Sequence, residues 1–210
     1  NADDESSVSR EHILVVENEG VLTIAGGKLT TYRRMAEEVV DKAVEMLRGK
    51  GVDTSNLSDS ETELNPLVGA VGWPEDGGHE VVAKAVHKRA NGLISEQTAR
   101  LVSDTLGIRS LDVADCIAAE PELSEPLVQG RHEVMAQVDW AIDREFAKTV
   151  MDVMMRRTQL YYRDLDQGLS AVNAVADRMA KRLGWSKEDR NKHIETYREE
   201  VARSRRWQSE

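Results

Sequence analysis

Hydrophobic and polar positions in the first quarter of the chain change from a strand-like to a helical pattern. Residues 13–17 and 21–25 are two short apolar runs rich in β-forming side chains, and Asn18, Glu19 and Gly20 separate them. Glycine accepts the positive φ angle that a tight hairpin turn requires, so we predict two antiparallel strands. A lone hairpin is only marginally stable in water. We therefore expect the two strands to belong to a sheet whose remainder lies outside this chain.

A helical period follows directly after the second strand. Apolar side chains recur three and four residues apart and form one stripe: Tyr32, Met35, Ala36, Val39, Val40, Ala43 and Leu47. Acidic residues and Lys42 take the opposite face, and Gly49 and Gly51 end the pattern. This spacing is typical of an amphipathic helix, which we predict for residues 31–48.

The rest of the chain divides into a polar connection and a series of helices. Residues 49–78 are rich in Gly, Ser, Asp and Pro, which is typical of a linker. Helical patterns then occupy residues 79–91, 95–106, 110–119, 131–146, 149–160, 167–183 and 186–206. Ser95 is the predicted N-cap of the second of these helices, and Gly107 its stop. The predicted fold class is mainly α, a multi-helix domain at residues 79–210 preceded by a β-hairpin.

Composition narrows the classes of function. The 210 residues carry a formal net charge of −10, which argues against a nucleic-acid binder. Cys116 is the only cysteine, so no internal disulfide or cysteine-based zinc site is expected, and no calcium-loop spacing is present. We predict no metal site. Apolar runs are too short to cross a bilayer and no signal peptide is recognisable, so we expect a cytoplasmic protein.

The chemistry-bearing stretch lies where the second strand meets the first helix. Gly26 and Gly27 break the strand, Lys28 adds a positive charge, and a helix begins near Thr30. Glycines let a backbone approach a ligand closely, and the first turn of a helix leaves N–H groups unpaired under a positive macrodipole. This corner suits a phosphate, a carboxylate or a negatively charged ring. The pattern alone equally fits an ordinary helix start with a surface lysine.

The same stretch rules out one sharper interpretation. A P-loop needs Ser or Thr directly after the lysine and a further glycine five residues before the last one, but this chain has Leu29 and Leu22 there. No Gly-rich dinucleotide fingerprint occurs elsewhere in the sequence.

A longer set of residues resembles a known family. Ser-Arg-Glu-His at residues 9–12, Gly-Gly-Lys-Leu-Thr-Thr-Tyr-Arg at residues 26–33, and the stretch from Asp-Arg-Glu-Phe (143–146) to Arg-Arg-Thr-Gln-Leu (156–160) are similar to the C-terminal part of FAD-dependent glycerol-3-phosphate dehydrogenases. The likeness covers most of the chain and is weak in the linker. Residues 1–30 are then the end of an α/β FAD- and substrate-binding domain, and residues 31–48 a connecting helix that faces the flavin.

The resemblance implies roles for individual residues. Arg10 and Lys28 match the family's positions that bind the phosphate end or the hydroxyls of glycerol 3-phosphate. Gly26, Gly27, Lys28, Leu29 and Thr30 match the family's cofactor-binding turn, in which the backbone of the last three residues lies beside the pyrimidine side of the FAD ring. The family's general base and its ADP-binding turn have no counterpart in this sequence, so no catalytic residue is expected here. The histidines, among them His12 and His79, are interpreted as surface or packing residues.

The resemblance also implies cofactor, partners and location. The expected partners are glycerol 3-phosphate, an N-terminal FAD domain that this chain lacks, and quinone as electron acceptor. On its own the chain is expected to be inactive and to bind FAD weakly or not at all. The basic helix at residues 186–206 leaves a peripheral position at the inner membrane face open, although interleaved acidic residues favour a solvated helix. A homo-oligomer is left open as well.

Two alternatives remain from the sequence. One is a relative that passes electrons to oxygen, a glycerol-3-phosphate oxidase. The other is a stand-alone helical interaction module. Such a module should cover the apolar face of its hairpin with its own residues, whereas a part of a larger protein should leave that face open.

Overall fold

The computed structural model describes residues 11–17 and 20–208, and it divides the chain at Leu67 into two compact units. Unit 1 holds the hairpin and the first long helix. Unit 2 begins at Val68 and holds the remaining helices. The boundary lies inside the predicted linker, residues 49–78. That segment is largely irregular, with several turns and one 3₁₀ helix at Val68–Ala70.

The hairpin of unit 1 is confirmed. Strands β1 (His12–Val16) and β2 (Leu22–Gly26) pair antiparallel, with His12 opposite Gly26 and Val16 opposite Leu22. The strands are shifted by one residue from their predicted ends. Asn18 and Glu19 of the predicted turn lie outside the described residues.

A single turn of 3₁₀ helix, Leu29–Thr31, leads from β2 into helix α1, Tyr32–Gly49. Lys50 closes α1 by donating its backbone N–H to Met46 and Leu47, and Gly51 follows with a φ of 77°. The predicted helix at residues 31–48 is therefore confirmed to within one residue at each end.

Unit 1 has almost no buried core. Leu14 and Ile24 face each other across the hairpin and are only half-buried, and Ile13 on the other face is 62% exposed. No residue of α1 is buried. Among the described residues of unit 1, only Thr54 is buried.

Polar contacts hold the pieces of unit 1 together instead. His12 Nε2 lies 2.6 Å from Glu38 Oε2, which ties β1 to α1. Arg33 donates to Thr62 Oγ1 at 3.1 Å and to the carbonyl of Asn65 at 2.6 Å, so the segment after α1 returns to the start of that helix.

The regular elements of unit 2 are helices of several types. Its elements are α2 (Gly78–Arg89), α3 (Glu96–Leu106), α4 (Ser110–Ala119), α5 (Ala136–Glu145), a π-helix (Asp152–Arg157), α6 (Leu160–Arg163), α7 (Val172–Leu183) and α8 (Lys187–Ser204). Ser95 caps α3 by accepting a hydrogen bond from Thr98 N, and α3 ends at Gly107, both as predicted. The predicted fold class, mainly α with a preceding β-hairpin, is confirmed.

Three of the predicted helices differ from the structure. Residues 131–135 are not helical because Val134 forms a β-bridge with Pro126, and Met135 N donates to Glu125 O. Residues 167–171 form turns, since Gly168 N donates to the carboxylate of Asp164. The helix predicted at 149–160 is interrupted by the π-helix.

Two apolar clusters form the core of unit 2. The first joins α5, α7 and α8 and contains Val138, Met154, Leu160, Val175, Met179 and Tyr197. The second joins α2, α3 and α4 and contains Val86, Ala99, Val102, Val113 and Ile117. Arg178 of α7 binds Asp139 of α5 and Glu120 after α4, so an ion-pair network links helices that contribute to both clusters.

Candidate functional site

The predicted site is a corner between β2 and α1, residues 26–31. Gly26 and Gly27 take φ angles of +82° and +87°, which L-amino acids with side chains rarely adopt. Lys28 is extended, with φ −123° and ψ 149°, and the 3₁₀ turn Leu29–Thr31 follows. The backbone thus turns sharply at the two glycines, and Lys28, Leu29 and Thr30 that follow them are exposed.

The glycines are required by the packing of unit 1 itself. A Cβ atom on Gly26 would lie 2.7 Å from the carbonyl oxygen of Glu11, and one on Gly27 would collide with the thioether of Met35. The positive φ angles and these contacts account for both glycines. Close approach of a ligand is therefore not needed to explain them.

Two backbone donors at the corner have no partner among the described residues. Thr31 N donates to Lys28 O at 3.0 Å, and Thr31 Oγ1 donates to the same carbonyl at 3.0 Å. Within the described part of the chain, the amides of Leu29 and Thr30 have no acceptor. Leu29 is 90% exposed, so no described residue covers its side chain. The two amides lie where the dipole of the 18-residue helix α1 places partial positive charge.

Lys28 adds a full positive charge to these donors. The residue is exposed, and its ammonium forms no ion pair with any residue that the structure describes. Gly26, Gly27, Lys28, Leu29 and Thr30 are thus brought together as one exposed corner. Arg10 lies outside the described residues, so its approach to Lys28 stays a prediction.

Behind the corner, His12 supports the fold. It lies next to Gly27, because a Cβ on that glycine would come within 3.4 Å of the Cβ of His12. Its hydrogen bond with Glu38, together with one from Arg34, holds the pKa of the Glu38 carboxyl below its ordinary value. The imidazole joins β1 to α1, which agrees with its interpretation as a packing residue.

The other histidines also have packing contacts. His79 lies 2.7 Å from Asp104, His87 2.8 Å from the carbonyl of Ile94, and His132 3.3 Å from Thr98. His193 stacks on Trp185. No group of three or more metal-ligating side chains comes together in residues 11–17 and 20–208.

Sequence reasoning missed a second concave region, in unit 2. A cavity of about 530 Å³ is lined by residues of α3 and α5 and by Arg156, Arg157 and Arg163. The pair Arg156-Arg157 is visible in the sequence, but its partners on α3 lie some fifty residues away along the chain. No local pattern could have indicated the cavity.

Fold and corner together define a class: a helical domain that follows a strand-to-helix corner suited to anions and electron-rich rings. The chain belongs to the family described as the C-terminal domain of alpha-glycerophosphate oxidase, whose model matches residues 60–190. This match confirms the resemblance noted from the sequence. No helix among the described residues is long and apolar enough to cross a membrane.

Characterised relatives carry a consistent name. The chain is 30% identical over 197 residues to a glycerol-3-phosphate dehydrogenase of Synechocystis sp.. The aligned region covers 92% of this chain and 34% of that protein. It is 31% identical over 193 residues to the aerobic glycerol-3-phosphate dehydrogenase of Bacillus subtilis. That alignment covers 91% of this chain and 34% of the Bacillus subtilis protein. The chain therefore spans about a third of the length of these relatives.

A solved structure has a similar fold. The X-ray structure of the glycerol-3-phosphate dehydrogenase from Bacillus halodurans, complexed with FAD, matches 90% of this chain and 36% of its own. The TM-score is 0.62 at 22% sequence identity, which supports the fold.

Proposed function

We propose that this chain forms the C-terminal part of an FAD-dependent dehydrogenase that oxidises glycerol 3-phosphate to dihydroxyacetone phosphate. The observation that carries the proposal is the exposed corner: two unpaired amides, at Leu29 and Thr30, beside the free ammonium of Lys28. The relatives named above supply the identity of the substrate.

The donors at this corner fit one edge of a flavin. The N1–C2=O edge of the ring offers hydrogen-bond acceptors and carries negative charge after reduction, and backbone amides at a helix start are suited to both. Bound FAD would supply the hydride acceptor. Leu29 and Thr30 would orient its ring through their amides, and Lys28 would stabilise charge at the same edge. Because these donors are fixed by the hairpin and α1, they need not reorganise during the reaction.

Lys28 and Arg10 are proposed to bind the phosphorylated alcohol. Arginine can donate two parallel hydrogen bonds to a phosphate, and lysine acts as a compact charge. The unpaired state of Lys28 supports this role, since its ammonium is not neutralised by a neighbouring carboxylate in the described part of the chain.

The chain alone is proposed to be inactive. It offers one side of a flavin site and spans only about a third of the length of the relatives named above. In the longer enzyme, electrons would pass from FAD to quinone. That enzyme would be cytoplasmic and could bind peripherally at the inner face of the membrane.

An oxygen-using enzyme is the second candidate. The family model that matches residues 60–190 is described as the C-terminal domain of alpha-glycerophosphate oxidase, and this description favours the oxygen-using enzyme. An oxygen electrode separates the two, because only the oxidase consumes oxygen in step with glycerol 3-phosphate when no quinone is added.

The substrate role of the corner is tested with Lys28→Ala in a flavoenzyme that contains this chain. Loss of a charge-assisted contact to phosphate should raise KM for glycerol 3-phosphate roughly tenfold. The matched control is Lys42→Ala on α1, whose ammonium pairs with Glu45. That variant should leave KM unchanged. Equal KM values for Lys28→Ala and the unaltered enzyme would contradict the proposed role.

A further inference from the structure

The cavity in unit 2 has the features of a ligand site that the candidate corner does not include. Its volume of about 530 Å³ lies within the range of small-molecule pockets, roughly 300–1,000 Å³. Its charged lining consists of Asp104, Glu145, Arg156, Arg157 and Arg163. All five belong to unit 2.

Both carboxylates of the lining are already neutralised. Asp104 accepts two hydrogen bonds from Arg100 Nε at 2.9 Å and lies 2.7 Å from His79. Glu145 pairs with Arg157 Nε at 2.9 Å and accepts from Trp140 Nε1 at 3.2 Å. These acids therefore leave little negative charge to repel an anion.

The remaining two arginines have donors to spare. Arg156 uses only Nη1, at 3.0 Å from Asp152, and that carboxylate also accepts from the backbone of Lys148 and Thr149. The guanidinium of Arg163 has no partner among the described residues; its backbone carbonyl accepts from Arg131 Nη1, and its backbone N–H donates to the carbonyl of Gln159. The lining thus carries one uncompensated positive charge and several free N–H groups.

A nearly buried amide adds a donor to the cavity wall. Gln137 is 6% exposed, and its Oε1 accepts a hydrogen bond from Val134 N at 2.9 Å. Its Nε2 has no partner in the described part of the chain, and no fully enclosed side-chain polar atom there is left unpaired. Since Gln137 lines the cavity, the free N–H₂ group opens into it.

The backbone beside the cavity is irregular in two places. The segment Asp152–Arg157 is a π-helix, a conformation that is rare and frequent at functional sites. Gln159, which follows and also lines the cavity, has a φ of +59°. A non-glycine residue held in this region costs free energy, and such residues concentrate at ligand sites.

From these observations we infer that the cavity binds a small organic anion through a carboxylate or phosphate group. Arg163 and Arg156 supply the positive charge and N–H donors, and Gln137 supplies a neutral donor from the same lining. The volume admits a molecule of a few carbon atoms with its oxyanion, and the neutralised acids leave acceptors for its hydroxyl groups.

The test is a calorimetric titration that measures binding of inorganic phosphate and of succinate to the 210-residue chain at fixed ionic strength. Arg163→Gln removes the free guanidinium, and Gln137→Glu keeps the acceptor for Val134 while replacing the free donor. Arg198→Gln on α8 is the matched control, because Arg198 is an exposed helical arginine outside the cavity lining. Thermal melts confirm that each variant is folded, and Arg163→Gln carries the test if Gln137→Glu does not fold.

The expected result is saturable binding of at least one anion, weakened roughly tenfold or more by Arg163→Gln and unchanged by Arg198→Gln. Tighter phosphate than succinate binding supports a phosphate ester as ligand, and the reverse order supports a carboxylate. The inference is overturned if neither anion binds the unaltered chain. It is equally overturned if Arg163→Gln and Arg198→Gln weaken binding to the same extent, as general surface attraction would.

Discussion

Units 1 and 2 of this chain place their apolar residues very differently. Unit 2 buries two clusters, with side chains such as Met154 and Ile117 fully enclosed. Unit 1 has one buried residue among those described, Thr54, and holds itself together by polar contacts such as His12 to Glu38. Yet the unpaired amides and lysine of the candidate site belong to unit 1. The buried apolar core therefore lies in unit 2, whereas the proposed flavin contact lies in unit 1.

The open hairpin bears on the alternative of a stand-alone module. Apolar side chains of the hairpin are exposed: Ile13, Val15, Val16 and Val21. The described part of the chain therefore leaves the apolar side chains on the Ile13 and Val15 face of the hairpin uncovered. A self-sufficient module was expected to cover it. This observation favours a chain whose hairpin completes a larger sheet.

The largest difference between the two units is expected when one leucine side chain is deleted from each. Leu160→Ala removes a fully buried side chain from the core of unit 2 and should lower the free energy of unfolding by about 2–5 kcal/mol. Leu14→Ala removes a half-buried side chain from the hairpin and should cost less than about 1 kcal/mol. Urea denaturation followed by circular dichroism measures both. Similar losses would show that the hairpin has a core of its own.

A second comparison concerns ion pairs. Arg178 is 12% exposed at its side chain and Asp139 is 8% exposed, so Arg178→Met leaves a carboxylate poorly solvated. We expect a loss of about 2–3 kcal/mol, below the value for a fully buried pair because Arg182 still contacts Asp139. Arg34→Met in unit 1 breaks exposed pairs with Glu37 and Glu38 and should change stability far less than Arg178→Met. Equal effects in urea denaturation would contradict the account.

A smaller effect is expected in acid. The hydrogen bond from Arg178 holds the pKa of Glu120 below its ordinary value of 4.5. The folded state therefore gains stability that is complete above pH 4.5 and is lost as the pH falls below it, through the lower folded pKa. Because the Glu120 side chain is partly exposed, this gain should stay below about 1 kcal/mol.

Denaturation between pH 6 and pH 3 measures this loss. The unaltered chain should lose more stability over that interval than Glu120→Gln, while Glu122→Gln, at an exposed position nearby, should follow the unaltered chain. Parallel curves for the unaltered chain and Glu120→Gln would show that the ion pair contributes nothing.

The sequence predicted those parts of the fold that depend on local pattern. Helix α1 follows its apolar stripe, and α3 begins at Ser95 and ends at Gly107 because capping and stop signals act within a few residues. The helix predicted from residue 131 was wrong in its first turn, since pairing of Val134 with Pro126 overrides local helix preference. Such pairing depends on the packed fold and leaves no periodic signal.

The same division holds for the candidate site. Residues 26–30 are contiguous, so the sequence alone placed them at one corner. The sequence could not show that Glu11 and Met35 occupy the space beside Gly26 and Gly27 and so account for both glycines. The cavity near Arg163 was not predicted, since it depends on α3 lying against a segment far along the chain.

We propose that the corner at residues 26–31 faces the N1–C2=O edge of a flavin. The flavin midpoint potential of a flavoenzyme that contains this chain reports on that contact. With Lys28→Ala the potential should fall by roughly 30 mV, about 1.4 kcal/mol for a two-electron couple, because positive charge stabilises the reduced ring. Lys42→Ala should leave the potential unchanged. An unchanged potential in Lys28→Ala, or the same fall in both variants, would contradict the claim.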